Sequence, residues 1–234
     1  MKIAKNITRI SARSVVSASA LALLLGLASQ QAAAAATYSF YNITHNNVGA
    51  EADGEANLKV EVSDLGSQMV RFQFTNTSSS SLTGAYFDDG TLLGISSISD
   101  SGNGVDFSQG ASPPNLPGGN NVNPDFNVTA GFLADSNPPV APNGVGMGEW
   151  LAIDFNLQGG KTYNDVLSAL TLPNNGGAGD LRIGVHVQGF SGGGSESFIN
   201  NISPVPEADT WAMMVAGLGL VGFMAVRPRR NTFA

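Results

Sequence analysis

The 234 residues contain no cysteine and only two histidines. Disulfide scaffolds, thiolate metal centres and cysteine nucleophiles are thereby excluded. A zinc site needs three or four nitrogen or sulfur ligands, which His45 and His186 alone do not supply. Positive charge is equally scarce where a folded domain would lie. Between residues 37 and 203 the basic side chains are Lys59, Arg71, Lys161 and Arg182. They stand against 16 of the chain's 18 acidic residues, a net charge of −12 for this stretch. Such a surface repels phosphate backbones, so no nucleic-acid partner is expected. A serine-hydrolase elbow is missing as well. Gly193-Gly194-Ser195-Glu196-Ser197 has a serine where the last glycine of G-x-S-x-G belongs. The glycines of Gly144-Val145-Gly146-Met147-Gly148 are spaced like a phosphate loop. They run into an extended segment rather than a helix N-terminus, so no aligned N–H groups await an anion.

The two ends of the chain read as export segments. Residues 1–36 open with Lys2, Lys5, Arg9 and Arg13, continue through an apolar stretch from Val15 to Leu27, and close on Ala34-Ala35-Ala36. A basic flank, a short apolar core and small residues at −3 and −1 are what the secretory machinery reads. Cleavage is expected after Ala36; an uncleaved N-terminal anchor is the alternative. The apolar part is shorter than the roughly 20 residues that span a bilayer.

Residues 37–203 are enough for one domain with its own core. Their pattern has period two. Val70, Phe72 and Phe74 alternate with Met69, Arg71 and Gln73. Leu151, Ile153, Phe155 and Leu157 alternate with Asp154 and Asn156. Leu181, Ile183, Val185 and Val187 oppose Arg182, Gly184, His186 and Gln188. Each reads as a strand with one buried and one wet face, in antiparallel pairing. Weaker strands are expected at Tyr38–Ile43, Leu58–Val62, Leu82–Phe87, Leu92–Ile98, Val128–Leu133 and Glu196–Ile202. Tyr163, Val166, Leu167 and Leu170 fall at helical spacing behind Thr162, a suitable N-cap, so one short helix is expected over 163–170. Ser99–Asn127 reads as a long irregular loop. The expected fold is all-β, an antiparallel β-sandwich of jelly-roll type.

The last part of the chain, 204–234, has three pieces. Val205-Pro206-Glu207-Ala208 comes first, then 16 apolar residues from Trp211 to Val226, then Arg227-Pro228-Arg229-Arg230. A helix over 211–226 would be about 24 Å long, close to the hydrocarbon thickness of a bilayer. The arginines after it would stay on the cytoplasmic side. Gly217, Gly219 and Gly222 weaken the helix and allow close helix approach. This layout resembles the PEP-CTERM sorting signal of Gram-negative bacteria that secrete exopolysaccharide, with Ala208 in place of the motif's second proline. Tails of this kind are sometimes labelled as an ice-binding protein C-terminal domain, though the tail itself cannot bind ice. The resemblance implies transport across the inner membrane and recognition by an exosortase-type membrane protease. It further implies cleavage near Pro206-Glu207 and release to the cell surface or the extracellular polysaccharide matrix. A retained membrane anchor and a buried core helix are the alternatives.

Within the domain, Asp88-Asp89-Gly90 reads as a hairpin turn between Phe87 and Thr91. Its functional reading is a Ca²⁺ site, with Asn103, Asp106 and Asp125 as further oxygen donors; otherwise no cofactor is expected. Glu149 with Asp154 or Asp89 would be the carboxylate pair of a glycoside hydrolase, but residues five apart on one strand face opposite ways. His186 is expected on a solvated face. Asn42, Asn76, Asn127 and Asn201 each begin an N-x-[ST] sequon. The sequence therefore predicts an exported, non-catalytic surface or matrix protein associated with polysaccharide. A calcium- or carbohydrate-binding adhesive module is the first alternative, and a secreted matrix hydrolase the second.

Overall fold

The computed structural model describes residues 34–102, 104–110, 115–134, 141–172, 180–205, 214–219 and 221. Strands are the dominant element, ten of them: β1 (Ala36–Asn42), β2 (Leu58–Gly66), β3 (Met69–Asn76), β4 (Ser81–Asp88), β5 (Leu93–Asp100), β6 (Phe107–Gln109), β7 (Ala130–Ala134), β8 (Trp150–Leu157), β9 (Arg182–Gln188) and β10 (Ser195–Asn200). Two α-helices interrupt them, α1 (Val48–Asn57) and α2 (Tyr163–Leu170). The protein is thus mostly β. All ladders between named strands are antiparallel.

The strands run in the order β5-β8-β3-β2-β1-β10-β9-β4-β7-β6. The expected antiparallel β-sandwich takes the form of one sheet that curls. The reason lies in β1. Its first half, Ala36–Ser39, pairs with β2, whereas Phe40–Asn42 pairs with β10. One strand thereby serves both halves and turns the corner between them. The tightest connection is β2 to β3, where Ser67 and Gln68 form a two-residue loop with φ of 52° and 61°. Positive φ at both positions is the type I′ pattern that matches strand twist.

The two halves meet through phenylalanine. Phe87 of β4 packs edge-on against Phe72 of β3 and Phe155 of β8, with centroids 5.1 and 4.8 Å apart. Phe74 and Phe132 complete the group at 6.2 and 6.0 Å from Phe87. All five side chains are fully buried. Each contributes about 1.5–3 kcal/mol by burial, and T-shaped pairs add roughly 0.5–1.5 kcal/mol.

α2 forms where helical spacing predicts it. Thr162 accepts from the N–H of Asp165, and the Asp165 carboxylate accepts from the N–H of Thr162 at 2.8 Å, a reciprocal cap. Tyr163, Val166, Ala169 and Leu170 are buried, and the Tyr163 hydroxyl donates to the Val62 carbonyl at 2.7 Å. α1 is a second helix that the sequence pattern does not announce. Only Ala50 and Gly54 are buried on it. The helix lies so close to the sheet that a Cβ at Gly54 would fall 2.1 Å from the Phe198 ring. Asn47 caps it by accepting from the N–H groups of Gly49 and Ala50.

The half of the sheet built from β10, β9, β4 and β7 differs from expectation on its outer side. Arg182 and Gly184, predicted to be wet, are buried, and His186 is half-buried. Arg182 and Gly184 are covered by residues 116–126 of the predicted loop. Leu116 and Phe126 close over Tyr86, Ile43 and Ile199 as a second small core. A Cβ at Gly184 would lie 2.6 Å from Leu116, so glycine here permits the close approach. Burial pushes the Tyr86 phenol up to about 12. β4 is consequently buried on both faces from Ser81 to Phe87. On the other half of the sheet, β3 keeps the simple alternation.

Candidate functional site

Asp88 ends β4 at the point where the chain crosses to the other half of the sheet. β4 pairs with β7 and β9, and β5 pairs with β8, so Asp88-Asp89-Gly90 is not the hairpin turn predicted. It is a crossover. The Asp89 carboxylate accepts from the Leu93 N–H at 2.6 Å and from the Thr129 hydroxyl. Asp88 is held by Arg182, whose Nε donates to Asp88 Oδ2 at 3.0 Å and whose Nη2 donates to the same oxygen.

Arg182 does more than neutralise Asp88. Its side chain is 2% exposed. Nη1 donates to the Pro124 carbonyl at 2.8 Å, Nη2 to the Asp125 carbonyl at 2.6 Å, and the guanidinium lies 5.2 Å from the centre of the Phe126 ring. Five planar donors suit this kind of multiple contact. Asp88 and Asp89, the predicted calcium donors of the turn, are therefore engaged in these bonds. Asp106 and Asp125 are exposed, and Asn103 lies outside the described residues. Among the described residues no group of three or more His, Cys, Asp or Glu is placed to hold a metal ion.

Glu196 is a second hub, and nothing in its sequence surroundings marks it. It is 1% exposed. It accepts from Asn42 Nδ2 at 3.1 Å, from the N–H groups of Asn46 and Asn47 at 3.2 and 2.6 Å, and from the Thr44 hydroxyl. Burial opposes its charge, but the hydrogen bonds from Thr44, Asn42, Asn46 and Asn47 prevail and hold its pKa below the ordinary value. Beside it, His186 Nδ1 lies 3.1 Å from the Ser197 hydroxyl. Burial pushes the imidazole pKa down, and the charge of Glu196 offsets part of that. Ser197 is fully buried, so the pair meets away from solvent.

The carboxylates considered for hydrolysis are also engaged. Arg71 Nε and Nη2 donate to the two oxygens of Asp154 at 2.7 and 2.9 Å, and Ser97 donates at 3.2 Å. The hydrogen bonds from Arg71 hold the Asp154 pKa below its ordinary value against the effect of burial. A general acid for glycoside hydrolysis requires the opposite direction. Glu149 accepts from the Gly146 N–H at 2.7 Å. Of the sequon asparagines, Asn42 and Asn76 are buried at 3% and 1% exposure, Asn201 is half-buried, and Asn127 is exposed.

Among the described residues, two grooves are the most prominent. One of about 770 Å³ runs between the Asp89–Leu93 crossover and α2, lined by Gln158, Lys161 and Asp165. Another of about 470 Å³ is lined by Tyr41, His45, Glu55 and Asn121. His45 has φ of 53° there, and its Nδ1 lies 3.1 Å from Glu51.

The end of the domain is tied to its beginning. Asn201 N–H donates to the Ser39 carbonyl at 2.8 Å, and Val205 N–H to the Thr37 carbonyl at 2.6 Å. Pro206, Glu207, Ala208, Arg227, Arg229 and Arg230 lie outside the described residues, as do residues 1–33 and most of Trp211–Val226. Residues 214–219 and 221 are helical. Met214, Val215, Leu218 and Val221 are 48–66% exposed, so this stretch is no part of the core. Among the described residues no helix is long and apolar enough to cross a membrane.

Residues 204–230 match the model of the PEP-CTERM protein-sorting motif. No curated protein and no solved structure matches the chain. The motif implies export, transit through a membrane and processing by exosortase, a membrane protein.

Proposed function

We propose, for a chain that carries the PEP-CTERM protein-sorting signal at 204–230, that the β domain is the cargo: a non-catalytic surface or matrix component retained among secreted polysaccharide. The observation that carries this reading is that, among the described residues, the charged and polar side chains in and beside the sheet are engaged in structure. Asp154 is bound bidentately by Arg71, Asp88 by Arg182, and Ser197 is fully buried beside a desolvated His186. A nucleophile or general acid must instead be reachable by substrate. The acidic surface fits a neutral or cation-bridged polymer better than an anionic bilayer.

The test is fractionation of cells expressing the chain with a tag in the exposed 191–194 loop. Processed protein should appear in the outer-membrane, matrix or medium fractions, and deletion of 204–234 should abolish that distribution. Intact chain retained in the inner membrane beside a working exosortase would end the sorting account.

A second reading, a carbohydrate-binding module, is favoured by the groove beside Tyr41. An aromatic ring there accompanies the polar side chains of His45, Glu55 and Asn121, and sugars are commonly held by such a mixture of ring and hydrogen-bonding groups. Pull-down of the protein by the producer's own polysaccharide, lost in Tyr41→Ala, supports it; equal retention of both forms removes it.

A further inference from the structure

The segment that leads into the sorting motif does not hang free. After β10 the chain continues along β1 toward that strand's start. Asn201 donates through its backbone to the Ser39 carbonyl and through Nδ2 to the Ser39 hydroxyl, both at 2.8 Å. Four residues later Val205 forms an isolated antiparallel bridge with Thr37. Val205 immediately precedes Pro206-Glu207. The polypeptide is thus sheet-bound up to the residue before the processing site.

The geometry also limits distance. Trp211 opens the apolar run six residues after Val205. At 3.3–3.6 Å per extended residue the gap spans at most about 22 Å. With the tail inserted, the folded domain is therefore held close to the bilayer, and little slack is left for a protease to draw on. Enzymes that cut peptide bonds take up their substrate as an extended strand, through main-chain hydrogen bonds on both sides of the scissile bond. The Val205 N–H cannot serve Thr37 and an enzyme together, because each N–H is a single donor.

We propose that the Val205–Thr37 bridge regulates processing of the tail, and that the protease acts on molecules in which the end of the 201–205 segment has peeled away from β1. This rests on the sorting reading above. Thr37 and Ser39 are then positioning residues for the processing reaction, acting through the segment they bind. One exchanged hydrogen bond has a net worth of about 1 kcal/mol, which keeps the open form about fivefold below the closed one.

The experiment is a pulse-chase of the full chain in exosortase-positive cells, following conversion of precursor to processed product. Inserting Gly-Ser-Gly-Ser between Ser203 and Pro204 leaves the motif and the spacing to Trp211 intact while releasing Val205. It should shorten the processing half-time about fivefold. The same insertion between Gly193 and Gly194, in the exposed loop, should leave it unchanged. Ser39→Ala, which removes only the side-chain bond to Asn201, should act in the same direction with a smaller gain. Trypsin resistance of the domain in the same extracts verifies folding independently of processing. If the released and native chains are processed at one rate, or release slows the reaction, the bridge has no regulatory part although sorting stands. If no form is ever processed in any strain, the sorting reading itself falls.

Discussion

Replacing Arg182 with methionine keeps most of the side chain's volume and removes every contact its guanidinium makes. Lost together are the paired bonds to Asp88, the bonds to the Pro124 and Asp125 carbonyls, and the stacking on Phe126. Breaking a buried ion pair from one side typically costs about 3–5 kcal/mol, because the partner charge is stranded. The Asp88 side chain is 16% exposed, so water reaches it and the lower part of that range applies, about 3–4 kcal/mol. For a domain of this size each kcal/mol moves the midpoint by roughly 2–4 °C. The expected fall is therefore about 10 °C by calorimetry. Asp88→Asn in the same background should recover part of it, giving a coupling of about 1–2 kcal/mol in a double-mutant cycle. Hydrogen exchange should accelerate first in residues 115–128, since Arg182 is what ties that loop to β9. An Arg182→Met variant whose midpoint drops by less than about 3 °C, or whose loop exchanges no faster, would refute the account of Arg182 as the loop's anchor.

Phe87→Ala should cost about 3–5 kcal/mol, because Phe87 touches Phe72, Phe74, Phe132 and Phe155 across the sheet; urea unfolding measures it. Glu196→Gln puts an NH₂ group among donors and should cost about 2–3 kcal/mol, with faster proteolysis between Thr44 and Asn47 as the local sign. Acid should destabilise the domain in two stages. His186 is shifted down from 6.5, so the fold holds fewer protons than the unfolded chain. Its contribution is complete above that pH and is lost as pH falls, until the buried imidazole protonates. Glu196 and Asp154, shifted down from 4.5 and 3.8, contribute above those values and lose it as pH falls through their lower folded pKa values. Melting curves between pH 8 and pH 3 check both stages. His186→Gln should abolish the first, and a midpoint that rises on acidification to pH 5.5 contradicts the assignment.

The strands were legible because burial on one face writes period two into the sequence, as at Val70-Phe72-Phe74 and Leu151-Ile153-Phe155. α2 was legible for the same reason at helical period, with Thr162 as its start. α1 was not, since its buried stripe consists of Ala50 and Gly54 and carries no large apolar residue. The covering of β9 was hidden as well. Arg182 and Gly184 look like part of a wet face until Leu116 and Phe126, far off in sequence, are known to close over them. β6 is only three residues long, too short for any alternation to register. Glu196 acquires its role from Asn42, Thr44 and Asn47, some 150 residues away, and local sequence holds no trace of that meeting. Sorting was readable because its signal is linear and contiguous, so it needs no fold to assemble it.

β1 is the first strand behind the N-terminal segment, yet it occupies the middle of the sheet, and on one side its neighbour is β10. During export the chain emerges from the N-terminal end, so Phe40–Asn42 must wait for Phe198–Asn200, the last stretch of the domain to cross. A pairing this distant in sequence is slow to nucleate. Completion of the sheet therefore requires both ends of the domain to be on the same side of the membrane, and the ladder between β1 and β10 is the one that joins them.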